Sequence, residues 1–160
     1  MKHSLLLAIL LSLPLGARAE SEWAEYANAH FKVNYPAELV AGANSVNGDG
    51  AEFHTKDNQF TVTAAAHSLN GATLESLWQE DLKAHAGFIN FKKNAGDWYF
   101  ISGERQGTEF LHRVQVKDGN CFELRFHYPH GKAGKYSPWV PRMIKSFVLL
   151  PSGDQGRNTK

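Results

Sequence analysis

Cysteine is nearly missing from this chain: Cys121 is the single one in 160 residues. That excludes an internal disulfide, and with it any fold held together by disulfides. It also removes the Cys–His spacings of structural zinc sites, and no HExxH stands in their place. Excess charge is missing as well. Lys and Arg number 17 against 16 Asp and Glu, a formal net charge of +1, and no stretch gathers the basic residues together. Such a balance gives no electrostatic handle on nucleic acid or on an anionic membrane. Long apolar runs are lacking too. The longest, 5–15, is interrupted by Ser12 and Pro14 and reaches half of the ~20 residues that a spanning helix needs, so no stable membrane insertion is expected. There is no Walker lysine loop and no glycine fingerprint for a dinucleotide. The serine-hydrolase elbow G-x-S-x-G is missing: Gly103 follows Ser102, but Phe100 stands two residues before it.

What is present begins with a signal. Lys2 and His3 precede the apolar run, and Ala17-Arg18-Ala19 supplies the small-x-small pattern of signal peptidase. Residues 1–19 are expected to be cleaved before Glu20, sending the chain to the periplasm or outside the cell. No cysteine follows the run, so lipoprotein anchoring is excluded. Loss of Lys2 and Arg18 turns the small positive balance slightly negative. Residues 20–150 then have the length of one domain with one core. The tail 151–160 (PSGDQGRNTK) is almost wholly polar and is expected to be disordered.

Periodicity divides the domain. A lead-in at 20–29 is read as a short helix. Residues 31–35 alternate as a strand ended by Pro36, and 51–55 with 59–66 form a hairpin about Asp57-Asn58 that pairs Phe53 with Val62. The segment 73–86 (TLESLWQEDLKAHA) places Leu74, Leu77, Trp78, Leu82 and Ala86 on one helical face, with Thr73 as N-cap and Gly87 as the stop. Strands at 88–94, 98–104, 108–117 and 121–128 follow as a meander. A three-residue loop at Asp118-Gly119-Asn120 would set Val116 against Phe122 and Val114 against Leu124. That register places His112 between Phe100 and Phe126 on an apolar face. Residues 136–147 close the chain as a helix whose start lies at Ser137-Pro138 or at Pro141. The expected class is α+β: an antiparallel sheet of six to seven strands with at least two helices packed on it.

The stretch Val46–Thr55 (VNGDGAEFHT) resembles a cation loop. Aligned on Gly50, the calcium-loop pattern finds Asn47 and Asp49 in place, but Ser45 stands for the first Asp and Lys56 for the bidentate Glu. An ammonium in place of the strongest ligand points instead to a turn made by Gly48 and Gly50. Histidines are plentiful: His30, His54, His67, His85, His112, His127 and His130. A metal-binding alternative would draw on His127 and His130, spaced HxxH, with Asp49 and Glu52. Cys121 reads as an inert core thiol, since His127 lies about 20 Å along an extended strand. A hydrolase built from Ser102, His112 and a carboxylate is the third reading. Of 4 Trp, 5 Tyr and 10 Phe, most fit core positions. Trp23, Tyr26, Tyr136 and Trp139 are the candidates for a partner-binding patch.

The segments YANAHFKVNYPAEL, NGDGAEF, TLESL, DWYFISGERQGTEFLHRV and HYPHGKAGKYSPWVPRMIKSF, taken in this order, resemble PsbP-like domains of secreted bacterial proteins. The resemblance spans residues 26–148. It implies an α/β/α sandwich around an antiparallel sheet and a role in docking other proteins, and it carries over no catalytic or cofactor residues. The leading expectation is a non-enzymatic exported domain that docks a protein partner or an envelope component.

Overall fold

The computed structural model describes residues 22–44 and 49–150. The signal segment 1–19, its cleavage point before Glu20, the tail 151–160 and residues 45–48 of the glycine-rich loop lie outside the described residues.

In chain order the elements are β1 (Trp23–Ala27), β2 (Phe31–Pro36), β3 (Val40–Asn44), β4 (Gly50–His54), β5 (Thr61–Ser68), α1 (Leu74–Ala84), β6 (Ile89–Asn94), β7 (Trp98–Arg105), β8 (Thr108–Lys117) and β9 (Asn120–Pro129). A 3-10 turn at His130–Lys132 leads into α2 (Ala133–Tyr136), α3 (Trp139–Ser146) and β10 (Val148–Leu149). One antiparallel sheet of seven strands runs β3-β4-β5-β9-β8-β7-β6, and a smaller one runs β1-β2-β10. The α+β class is as expected.

The lead-in is a strand and not a helix. β1 pairs antiparallel with β2, Tyr26 opposite Val33, and the Asn28 side chain closes the hairpin by accepting from the backbone of His30 and Phe31. The helical reading of the lead-in is overridden here by its pairing with β2 across that turn. In the β4–β5 hairpin Phe53 does face Val62. Its loop is held by Thr55, whose buried hydroxyl accepts from Gln59 and Phe60 N–H and donates to Asp57 at 2.6 Å.

The β8–β9 register departs from the one expected. Asp118 and Gly119, both at positive φ, make a two-residue turn, so Lys117 pairs with Asn120, Val116 with Cys121 and Val114 with Glu123. Matching apolar to apolar assumes a sheet with one buried face. This sheet is packed on both, so its strands need not bury the same parity, and turn chemistry fixes the pairing.

Two separate cores result. On one face β1, β2, α2 and α3 cover β4, β5 and β9 through Phe31, Phe53, Phe60, Leu124, Phe126, Tyr136 and Met143. On the other face α1 covers β7, β8 and β9 through Trp78, Tyr99, Ile101, Phe110 and Val114. The cover is therefore diagonal, and each face of the seven-stranded sheet keeps one half open.

Both helical ends follow from local chemistry. Thr73 caps α1 reciprocally with Ser76, at 3.0 and 3.1 Å, and Gly87 at φ +81° carries the chain away from it. At the other end Ser137 does not cap α3. It belongs to the end of α2, and α3 begins at Trp139 with no side-chain cap. Pro141 is then the third residue of the helix, where a backbone N–H would have no partner within the helix.

Candidate functional site

The open end of α1 carries a polar cluster pressed against the sheet. Asp81 and His85 stand one helical turn apart, four residues, so both side chains leave α1 on the same side. From the sheet come Tyr99 of β7, His112 of β8, and Glu123 and Arg125 of β9. Asp81, Tyr99 and His112 are buried, at 7%, 1% and 2% exposure. Tyr99 Oη donates to Asp81 Oδ2 at 2.7 Å, and His112 Nδ1 lies 3.3 Å from the same oxygen. An Arg125 guanidinium nitrogen is 3.8 Å from Asp81 Oδ1, while its Nε donates to Glu123 at 2.8 Å. The His85 ring stacks on Phe110 and meets His112 edge to face, at 4.2 and 4.9 Å between centroids.

A carboxylate cannot be buried without partners. Burial alone pushes Asp81 upward. The hydrogen bonds from His112 and Tyr99 outweigh that and hold it below the usual carboxylate range. Burial, reinforced by Asp81 as acceptor, pushes the Tyr99 phenol upward, so it stays a donor. Burial, then neighbouring His112, pushes His85 below its ordinary value and keeps the ring neutral. Two nitrogens, His85 Nδ1 and His112 Nε2, are buried with no hydrogen-bond partner among the described residues.

A second, exposed cluster sits at the β7–β8 turn. Glu104 and Glu109 are direct cross-strand partners, an arrangement that repels. His130 Nδ1 bridges them at 3.3 and 2.6 Å, and its pKa is raised by the bond to Glu109 and by the charge of Glu104.

The third feature is aromatic. On the half of the sheet left bare by β1, β2 and α3, the strands β6 to β8 present Phe91, Lys93, Trp98, Phe100 and Arg113 on one face. Phe91 is 53% exposed and lies 5.9 Å from the Phe100 ring. Trp98 is covered by the Arg113 guanidinium at 4.1 Å and by Lys93 at 5.4 Å. β6 is the edge strand, and its outer backbone groups have no neighbour in the sheet among the described residues. It is held in place at Gly103, where the Phe88 carbonyl comes so close that no Cβ could stand there.

Neither protein-family models nor curated proteins match this chain. Solved structures do. The cyanobacterial PsbP of Synechocystis sp. PCC 6803 matches with a TM-score of 0.59, covering 84% of this chain and 96% of that one at 10% identity. The fold is PsbP-like. The Ran-binding protein Mog1p of Saccharomyces cerevisiae shares it, with a TM-score of 0.57, 83% and 98% coverage and 10% identity. A Bacteroides thetaiotaomicron protein reaches 0.50 at 16% identity, with 78% of this chain matched to 46% of that one. At such identities the likeness is one of fold.

Within this PsbP-like fold the residues singled out from sequence scatter. His130 joins Glu104 and Glu109, whereas His127 packs against His112 at 5.8 Å, so HxxH does not converge. Asp49 and Glu52 lie at β4, and neither joins a metal-binding group among the described residues. Tyr136 and Trp139 are core residues packed on Phe60. Trp23 is half-buried under Arg142, and half-buried Tyr26 packs on Phe31 and Phe53. Ser102 and His112 occupy opposite faces of the sheet, which rules out that dyad. Burial pushes the Cys121 thiol up to about 12, as an inert core residue requires. The Asp81–His85 pair was visible as an i,i+4 spacing at the end of a helix, but His112 reaches it only through the observed register.

Proposed function

We propose that this chain is a non-enzymatic, exported domain that docks a protein partner on the bare half-face of β6, β7 and β8. The observation behind this reading is the aromatic and cationic patch of Phe91, Phe100, Trp98, Lys93 and Arg113 beside a free sheet edge. An exposed Phe91 beside half-buried Trp98 and Phe100 and two cations offers a desolvated anchor, and an edge strand adds backbone hydrogen bonds to an incoming extended segment. The cations select for acidic side chains flanking that segment. The yeast protein of the same fold is described as Ran-binding, which supports partnering as a use of this fold. No helix among the described residues is long and apolar enough to cross a membrane. The signal-like leader of the sequence supports an encounter in the periplasm or beyond.

Photo-crosslinking from position 91 of the mature chain in envelope extract tests this. One defined protein should be captured, lost with Phe100→Asp and kept with Glu80→Lys on α1. Capture of nothing above background, or equal capture from both faces, would end the reading.

A further inference from the structure

We propose that Asp81, His85 and His112 form a binding site for one late first-row divalent metal ion, with zinc the best match, at the C-terminal end of α1. The site is separate from the docking face and does not depend on it. One ligand atom from each of the three residues lies within 4.8 Å of the other two. Two ligands on a tetrahedral zinc stand about 3.3 Å apart, given bonds of ~2.0–2.1 Å. Asp81 Oδ2 and His112 Nδ1 are already 3.3 Å apart. A charge-assisted N–H···O bond normally measures about 2.7–2.9 Å, so this pair is stretched for a hydrogen bond and well spaced for a shared ion.

His85 can complete the set. It is the C-cap of α1, at φ −110° and outside helical geometry, and one of its ring nitrogens lies within 4.8 Å of the Asp81 and His112 ligand atoms, so a ring movement brings it to the shared point. Its Nδ1 is buried without a hydrogen-bond partner among the described residues, a polar atom for which an ion supplies the missing contact. Tyr99 and Arg125 orient the Asp81 carboxylate from behind, as outer partners of metal ligands do. Two imidazoles and one carboxylate suit zinc, cobalt or copper rather than magnesium or calcium.

By contrast, Glu104, Glu109 and His130 form an exposed group closed on itself by the 2.6 Å bond, so they serve as the control.

The test uses the mature protein without an affinity tag, stripped with chelator and titrated with Co²⁺ and then Zn²⁺. One Co²⁺ per chain should bind, with the visible absorption of a four-coordinate ion, and Zn²⁺ should displace it. His85→Ala and His85→Gln alter a helix cap rather than a core position and should keep the native circular dichroism. Each should weaken Co²⁺ binding by at least about tenfold, the loss expected for a ligand or its partner. His130→Ala should leave binding unchanged. No stoichiometric Co²⁺, unchanged affinity in both His85 variants, or loss of binding with His130→Ala would each overturn the site.

Discussion

Tyr99→Phe removes one oxygen from the interior and changes nothing else in the packing. The ring is 1% exposed and stays against Trp78, 5.2 Å between centroids. What disappears is the 2.7 Å bond to Asp81 Oδ2, which a phenylalanine cannot replace. A hydrogen bond to a buried charged group is worth about 1.5–3 kcal/mol. At about 4 °C per kcal/mol for a domain of this size, the melting temperature should fall by about 6–12 °C at pH 7. The effect should depend on pH in a determined direction. Asp81 is held below its ordinary pKa in the fold, so its contribution is present above the unfolded value of about 3.9 and is lost as pH falls through the folded value. Once Asp81 is protonated the bond joins neutral groups, worth only about 0.5–1.5 kcal/mol. Urea unfolding of both proteins at pH 7 and near pH 3, in chelator so that bound metal does not contribute, measures this. A difference below about 0.5 kcal/mol at pH 7, or one that does not shrink in acid, would refute the account of Asp81 as a buried carboxylate held charged by its donors.

Gly103→Ala sets a methyl group against the Phe88 carbonyl and should cost about 3 kcal/mol, the upper range for overpacking, with β6 amides losing exchange protection first. Thr55→Val leaves the Gln59 and Phe60 N–H groups without their acceptor and should cost about 1–3 kcal/mol by urea unfolding. His85 is held below its ordinary pKa, by burial and then by His112, so the unfolded chain takes up its proton first. Stability should therefore decline as pH falls below about 6.5, and His85→Gln should flatten the decline. His130 is shifted upward, so its contribution is full below the unfolded value and is lost as pH rises through the folded one. His130→Gln should steepen the acid decline, and unchanged curves in these variants would place its cause elsewhere.

Helix α1 was readable in the chain because its signals are local: a five-residue apolar stripe, Thr73 to begin it and Gly87 to end it. The β4–β5 hairpin and the meander were readable for the same reason. The short strands were not. β1, β3 and β10 hold five, five and two residues, too few for a period to stand out, and β10 exists only because the distant β2 completes it at Val148 and Leu149. The aromatic patch was hidden differently. In WYFISG every position but two is apolar, so alternation did not reveal that Tyr99 and Ile101 face α1 while Trp98 and Phe100 face the bare side. Tyr136 and Trp139, attractive as docking residues by composition, are used instead to pack the ring of Phe60.

The length of one turn decides which residues of β9 join the polar cluster. A three-residue loop at 118–120 would pair Val114 with Leu124 and set Phe126, not Arg125, opposite His112. With two residues at positive φ, Asp118 and Gly119, β9 shifts by one position and every side chain changes face. Phe122, Leu124 and Phe126 then enter the core under β2, while Glu123, Arg125 and His127 fall on the side of α1. That face of β9 lies at the rim of the helix cover, where charged groups can be partly solvated, Arg125 retaining 36% exposure of its side chain. Asp81 and His85 come down from α1 onto the same rim and meet His112 from β8. The apolar requirement of one core and the chemistry of one turn thus set Glu123 and Arg125 beside the two imidazoles and the carboxylate that α1 and β8 supply. Those two charged residues are the ones that β9 could not bury under β2.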